Sequence, residues 1–585
     1  MVRVVTASLL LGVVLVIAWQ VAARYLPGMR VPRWTEEVSL ILMVWLSMLG
    51  SGLAVRAGEH LAVDIGVRQL PPRLQQIVMR AVWLLVAGFG AYLLWYGSEL
   101  SSRTMAQTFS VTKLPIGWIY LGIPLGGVLI AFYALLATLL LVVGGGTLLL
   151  GWETLTSPVG LLLGSLVLLI VLGVPIAVAL GLASLLTVFN LGLPPLIVAQ
   201  RMANGVNSTP LLAIPFFILA GQIMAEGGIA QRLVDFARVL VGPVRGGLAM
   251  VNVVSSMLFG GASGSSVADV SANGSILIPM MKKKGYDTDF SVGITVASST
   301  QGLIIPPSHN AVIYSLAAGG VSIGALFLAG YIPGVMIGLG LMVASYVLAL
   351  RRGYPSERRP PLRESLRITV TAIPALAVGL IIVGGIAFGW FTATEAAAIG
   401  TVVAFLVATL IYREMSLVTL WRATLQSVRT IALVIFLIAA ASAFAWLMAY
   451  LRVPSALAAG LLSLTDNPVL LLLMINVMLL ALGAIMDMAP LILILTPVLL
   501  PIVTADPINM SPVHFGIVLL MNLGLGLTTP PVGTALFVGC AIGNIRIEQA
   551  SRAMLTLWPV MLVVLLLVTY FPWFVNVLPN LFGAQ

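Results

Sequence analysis

LFGGASGSSVADVSANGSILIPMMKKKGYDTDFSVGITVASSTQGLIIPPSHNAVIY, Leu258 to Tyr314, is apolar enough to lie at membrane depth yet is interrupted by Gly-Ser clusters and by the adjacent Pro306 and Pro307. Two consecutive prolines remove two backbone donors and push the preceding residue out of helical geometry, so a continuous helix is not expected here. Backbone freed from helical bonding inside hydrocarbon must find partners, because each unpaired N–H or C=O costs several kcal/mol. Such a break belongs inside protein or against a wet cavity. The theme recurs from Leu480 to Phe537, with Gly483 and Asp487 in LALGAIMDMAP, then Pro497, then GLGLTTPPVGTALF with Pro530 and Pro531. Paired broken segments in corresponding halves of a membrane chain point to a binding site of the secondary-transporter kind.

The surrounding composition sets this in a membrane. Of 585 residues, 60% are hydrophobic and 8% charged, with a mean hydropathy of +1.12. Apolar runs of 18 or more residues recur along the chain, which predicts an all-α polytopic membrane protein with about 15 to 17 crossing or re-entrant segments. The net charge of +10 comes from arginines scattered singly between spans, a positive-inside pattern that argues against nucleic acid as a partner. The single Cys540 reads as a small core residue. The apolar segment after Arg3 continues to about Ala23 without a clear cleavage site, so it reads as a retained first helix.

Four spans are expected in residues 1–143: about Val5 to Ala23, Val38 to Val55, Ile77 to Tyr96 and Ile116 to Val143. Trp34, Glu36 and Glu37 read as a helix N-terminus at an interface, and Glu59, His60 and Asp64 as a solvated turn. Residues 144–157, opening with three glycines, form a linker that either lies on the membrane or crosses it. Residues 158–585 form a larger module. Within it Leu233, Phe236, Val239 and Leu240 oppose Arg232, Asp235 and Arg238, an interfacial connector helix. The loop Arg351 to Arg367 has the densest cation count, which places it in the cytoplasm. That loop divides repeat one, about 158–350, from repeat two, about 368–585, where Thr392 and Glu395 have capping-box spacing. Four landmarks link the repeats: the segments starting at Ile214 and Val434, then Gly264 with Gly483, Pro279 with Pro497 and Pro306 with Pro530, at offsets of 220, 219, 218 and 224.

The breaks carry the chemistry. Small residues from Gly261 to Ser266 let backbones approach, and Ser263, Ser265 and Ser266 add hydroxyls; the same residues also serve plain tight helix packing. A helix starting at such a tip turns N–H groups and its positive dipole end inward, which suits a carboxylate. A helix ending there presents carbonyl oxygens, which suit a hard monovalent cation. The Pro-Pro breaks expose carbonyls near Ile304, Ile305, Thr528 and Thr529, with hydroxyls from Ser299, Thr300, Ser308 and Thr534. Asp269 and Asp487 are scarce intramembrane acids that either couple protons or hold a helix terminus. His309 either touches substrate or is a bonded core histidine. No G-x-x-x-x-G-K-[ST] motif occurs in the sequence, so energy from nucleotide hydrolysis by that route is excluded and an ion gradient remains.

FGGASGSSVADVSANGSILIPMM with GLIIPPSHNAVIY, and LGAIMDMAPLILILTPVLLPI with HFGIVLLMNLGLGLTTPPVGTALF, resemble the large membrane subunit of tripartite ATP-independent periplasmic (TRAP) transporters. WTEEVSLILMVWLSMLGSGLAVRAGEHLAVD is similar to that family's small four-helix subunit, so the chain resembles a fusion of both. The resemblance implies a multi-pass protein of the bacterial inner membrane, in contact with lipid and not an enzyme. It implies a sodium-driven, inverted-repeat elevator importer of organic acids with two re-entrant hairpins and two Pro-Pro-broken helices. An extracytoplasmic substrate-binding protein would feed it. Sodium ligands would then come from Ser263, Gly264, Ser265, Thr300 and Pro306, and from Gly483, Asp487, Thr528, Thr529 and Pro530. Substrate contacts would come from Ser265, Ser266, Asp269, Ser308, His309 and Thr528. The alternative is an ion-coupled anion carrier of another inverted-repeat family that works without a binding protein.

Overall fold

A computed structural model describes residues 2–25, 32, 34–57, 71–142, 157–463, 465–530 and 533–583. The Glu59, His60 and Asp64 turn, the linker up to residue 156 and Pro531 lie outside this set. The described residues form helices and no strands, as the obligation to satisfy every backbone group in lipid demands. Ten of these helices are long and apolar enough to cross a membrane, and one further pair, Ile547–Met554 with Trp558–Tyr570, qualifies as a span bent by 54°. Six more apolar helices have 10 to 17 residues. At 1.5 Å per residue a 15-residue helix reaches only about 22 Å, short of a bilayer core of about 30 Å. Four of these short helices flank the breaks.

The chain folds as two compact units. One contains residues 1–215, 424–459 and 493–498. Its first four helices, Val2–Tyr25, Thr35–Ala57, Pro72–Thr104 and Gly122–Val142, match the four expected spans. They pack on the larger module where glycines permit it: a β-carbon at Gly50 would collide with Ala432 and one at Gly181 with the Phe89 ring. Tyr92 Oη donates to Pro195 O at 2.8 Å, and Phe89 packs on Phe436. The acidic pair divides into two local roles. Glu37 accepts from Thr112 N (2.8 Å), Val111 N and Ser110 Oγ, pinning a loop, while Glu36 accepts from Gln20.

The other unit contains residues 216–423, 460–492 and 499–585. The connector helix is present as Ile229–Val241, but its buried face is Ile229, Ala230, Leu233, Val234 and Ala237, and Leu240 is exposed. The inward stripe is thus rotated from the expected one, because small Ala230 and Ala237 allow close approach where Phe236 and Leu240 do not. Arg238 bonds Glu357 in a bidentate pair through Nε and Nη2 (3.0 and 3.2 Å), which raises its already high pKa further. The capping box at Thr392 and Glu395 forms as its spacing predicts.

Candidate functional site

Helix Gly247–Ser263 ends at Gly264, whose φ of 63° is left-handed. Only glycine adopts that conformation without steric cost. Ser265 then caps helix Ser266–Lys283 by accepting from Ala268 N. The tip lies against the Pro-Pro break: a β-carbon on Gly264 would sit 2.9 Å from Pro307 O and 3.1 Å from His309 N. Behind it, the Ser266 and Ser299 hydroxyls are 2.5 Å apart. One turn earlier two backbones touch, since a β-carbon on Gly302 would lie 2.7 Å from Gly260 Cα.

The second half repeats the crossing. Helix Pro468–Ile485 gives way to extended Met486, and Asp487 occupies the N-cap position of Met488–Thr504 without a side-chain cap bond. A β-carbon on Gly526 would lie 2.6 Å from Gly483 Cα. Gly302 and Gly526 are 224 residues apart, as are Pro306 and Pro530. The contact geometry therefore pairs Gly260, not Gly264, with Gly483, correcting the landmark matched from sequence.

The two broken helices run antiparallel. Gly516 meets Tyr314, Gly524 meets Leu303, Gly539 meets Val296 and Gly543 meets Val292, so rising numbers on one face falling numbers on the other. Tyr314 Oη donates to Pro512 O (2.5 Å) at one end, and Lys282 Nζ to Gly543 O (3.4 Å) at the other.

The expected site residues divide by how fully they are bonded. Thr300 donates to Ala297 O and Thr529 to Leu525 O, both bonds within the helix. Thr528 donates to Leu525 O and accepts from Trp558 Nε1 at 3.1 Å, so its hydroxyl is largely committed to the protein. Asp269 is fully buried; its Oδ1 accepts from Asn273 Nδ2 (2.6 Å). Among the described residues, Asp269 Oδ2, Ser308 Oγ, His309 Nδ1, Gln301 Oε1 and Thr534 Oγ1 are buried with no hydrogen-bond partner. Such atoms cost about 1–3 kcal/mol each if left unpaired. The side chain of Ser263 is outside the described set, and Pro530 ends the described part of its segment.

Sequence reasoning passed over two buried amide clamps. Asn252 donates to Thr295 Oγ1 (2.6 Å) and accepts from Ser298 Oγ (3.1 Å). Asn476 accepts from Asn522 Nδ2 (2.7 Å) and donates to Thr569 Oγ1 (3.3 Å). Asn252 and Asn476 are 224 apart, and so are Ser298 and Asn522. A search for costly amides at the Pro-Pro offset would have found them.

Residues 163–574 match the family described as "Tripartite ATP-independent periplasmic transporter, DctM component", and residues 13–144 match the DctQ component of the same transporters. This chain belongs to the TRAP transporter family as a fused permease. The fused permease is 36% identical over 586 residues to the isethionate TRAP transporter permease protein DctMQ of Oleidesulfovibrio alaskensis, covering 96% of this chain and 92% of that one. It is 32% identical over 579 residues to the sialic acid TRAP transporter permease protein SiaT of Haemophilus influenzae, covering 94% and 93%. Salmonella typhimurium YgiK is 44% identical over 432 residues, 73% of this chain and 98% of that protein. The permease is a multi-pass inner-membrane transporter component and not an enzyme.

Proposed function

We propose that this permease couples inward sodium movement to import of a small organic acid, a carboxylate, delivered by an extracytoplasmic substrate-binding protein. The hairpins and Pro-Pro helices would shift as one elevator body against a scaffold that includes the four N-terminal helices. One observation carries this reading: in each half a glycine-to-glycine crossing packs the helix before a break against the helix before a Pro-Pro sequence, and the two broken helices run antiparallel. Backbone groups freed in pairs at membrane depth supply N–H donors for an anion and carbonyl oxygens for a cation without any charged cage.

The unpartnered Ser308 Oγ and His309 Nδ1, with Ser265 and Ser266, would meet the oxygens of the acid. Asp487 would balance the cation, alongside carbonyls near Gly264, Pro306, Gly483 and Thr528 to Pro530, and Asp269 would stand on the substrate side. The relatives' names cite isethionate, a sulfonate, and sialic acid, a carboxylate. An oxyanion recognised mainly by backbone and hydroxyl donors accommodates either class.

Reconstitution tests this directly. Purified permease in liposomes should accumulate labelled acid only with sodium outside and with its cognate binding protein present; thermal-shift screening of that binding protein against organic acids selects the substrate. Equal uptake without the binding protein would establish the stand-alone carrier instead. Equal uptake with potassium replacing sodium would remove sodium coupling.

A further inference from the structure

Thr371, the tenth residue of helix Leu362–Ala387, accepts from Tyr412 Oη at 2.7 Å, which places the turn at residues 412–414 about 12 Å along the helix from Arg363. The acids around this corner are mostly engaged. Glu357 pairs with Arg238 (3.0 Å), Glu414 with Arg232 (2.5 Å) and Asp287 with Arg352 (2.9 Å). Arg363, Arg367 and Arg413 are exposed and have no ion pair among the described residues.

Helical spacing of 100° per residue puts Leu362, Leu366, Val370 and Ile373 in one stripe about 80° wide. Those four are between 55% and 77% exposed. Arg363 and Arg367 form the adjacent row, while Glu364 projects on the side away from the stripe. In water such a stripe would be a liability; at the edge of a bilayer it is an acyl-chain track with cations at headgroup level. Guanidinium forks match phosphate geometry, and each basic group near an anionic leaflet is worth about 1 kcal/mol.

We infer that Arg363 and Arg367 hold the phosphate of an anionic phospholipid whose acyl chain runs along Leu366, Val370 and Ile373. The site is separate from the transport breaks and stands whether or not the coupling ion is sodium.

The test uses full-length permease, delipidated in detergent, with its unfolding temperature followed as phosphatidylglycerol, phosphatidylcholine or inorganic phosphate is added. Phosphatidylglycerol should raise the midpoint, and the other two should not. The R363Q/R367Q variant should lose most of that rise, and R367Q alone, a single surface change, at least half of it. A full phosphatidylglycerol effect in R367Q would overturn the assignment. So would an equal rise with inorganic phosphate, which marks a free-anion site, or with phosphatidylcholine, which marks unspecific lipid stabilisation.

Discussion

At the first break the chain turns through left-handed Gly264 and Ser265 caps the next helix with a neutral hydroxyl. At the second, the turn is made by extended Met486 and the capping position carries a carboxylate, Asp487, without a side-chain capping bond. The Pro-Pro sides differ in the same direction. Ser308 Oγ and His309 Nδ1 stand unpartnered in the first half, whereas Thr528 in the second is held from both sides by Leu525 O and Trp558. The backbone crossing is common to both halves and the polar groups around it are not. The shared part is what hydrocarbon makes obligatory, and the divergent part is free to choose between anion and cation.

The crossing itself carries the largest expected effects. A β-carbon on Gly526 meets Gly483 Cα at 2.6 Å, but one on Gly483 meets Gly526 Cα at 3.3 Å, a tight contact that a shift of a few tenths of an ångström relieves. In the first half, the β-carbons of both Gly260 and Gly302 run into backbone. Overpacking against backbone costs about 1–3 kcal/mol or more. G526A, G302A and G260A should therefore each reduce liposome uptake at least tenfold, while G483A keeps most of it. If G483A were as damaging as G526A, the crossings would be equally tight and the asymmetry between halves would vanish.

The amide clamps come next. Replacing Asn476 by Leu leaves one Asn522 Nδ2 proton unpaired, the other still going to Val518 O, beside an Oδ1 that already lacks a partner, and should lower stability by about 1–3 kcal/mol. The matching N252L change leaves Thr295 and Ser298, whose hydroxyls also donate to carbonyls of their own helix, Ser291 O and Thr295 O. Its cost should be smaller, about 1 kcal/mol. Thermal unfolding of the two variants in detergent ranks them; an N252L midpoint below that of N476L reverses the comparison.

Much of this plan was legible in advance because apolar length and proline placement act locally. Residues 4–143 resolve into four spans from hydropathy alone, and Pro306 with Pro530 mark both interruptions. What was not legible depends on which surfaces meet. Gly260 and Gly264 are one helical turn apart, and only the contact with Gly302 shows which of them corresponds to Gly483. The amides were missed for a related reason: Asn252 and Asn476 sit singly in apolar runs, and a lone amide has no pattern until its partner from another helix is beside it. The connector helix shows the same limit, since its charged row was correct but the relative depth of Phe236 and Ala237 is set by a neighbouring helix.

The smallest effect should come from Trp558, which gives the second break a donor with no counterpart described in the first. Phenylalanine keeps an aromatic ring in place while removing the part of the indole whose N–H reaches Thr528 at 3.1 Å. One neutral hydrogen bond is worth about 0.5–1.5 kcal/mol, so W558F should lower the unfolding midpoint by only a few degrees. Its informative readout is sodium. With the Thr528 hydroxyl no longer anchored on that side, the adjoining carbonyls lose a fixed position, and the sodium concentration for half-maximal uptake should rise by about threefold while maximal uptake holds, within the tenfold that 1.4 kcal/mol allows. A control, T187V, removes a bond that stays inside one helix away from both breaks, so it should leave the sodium dependence where it was. A W558F permease with unaltered sodium dependence would mean that the indole only packs, and that the two Pro-Pro breaks are held alike.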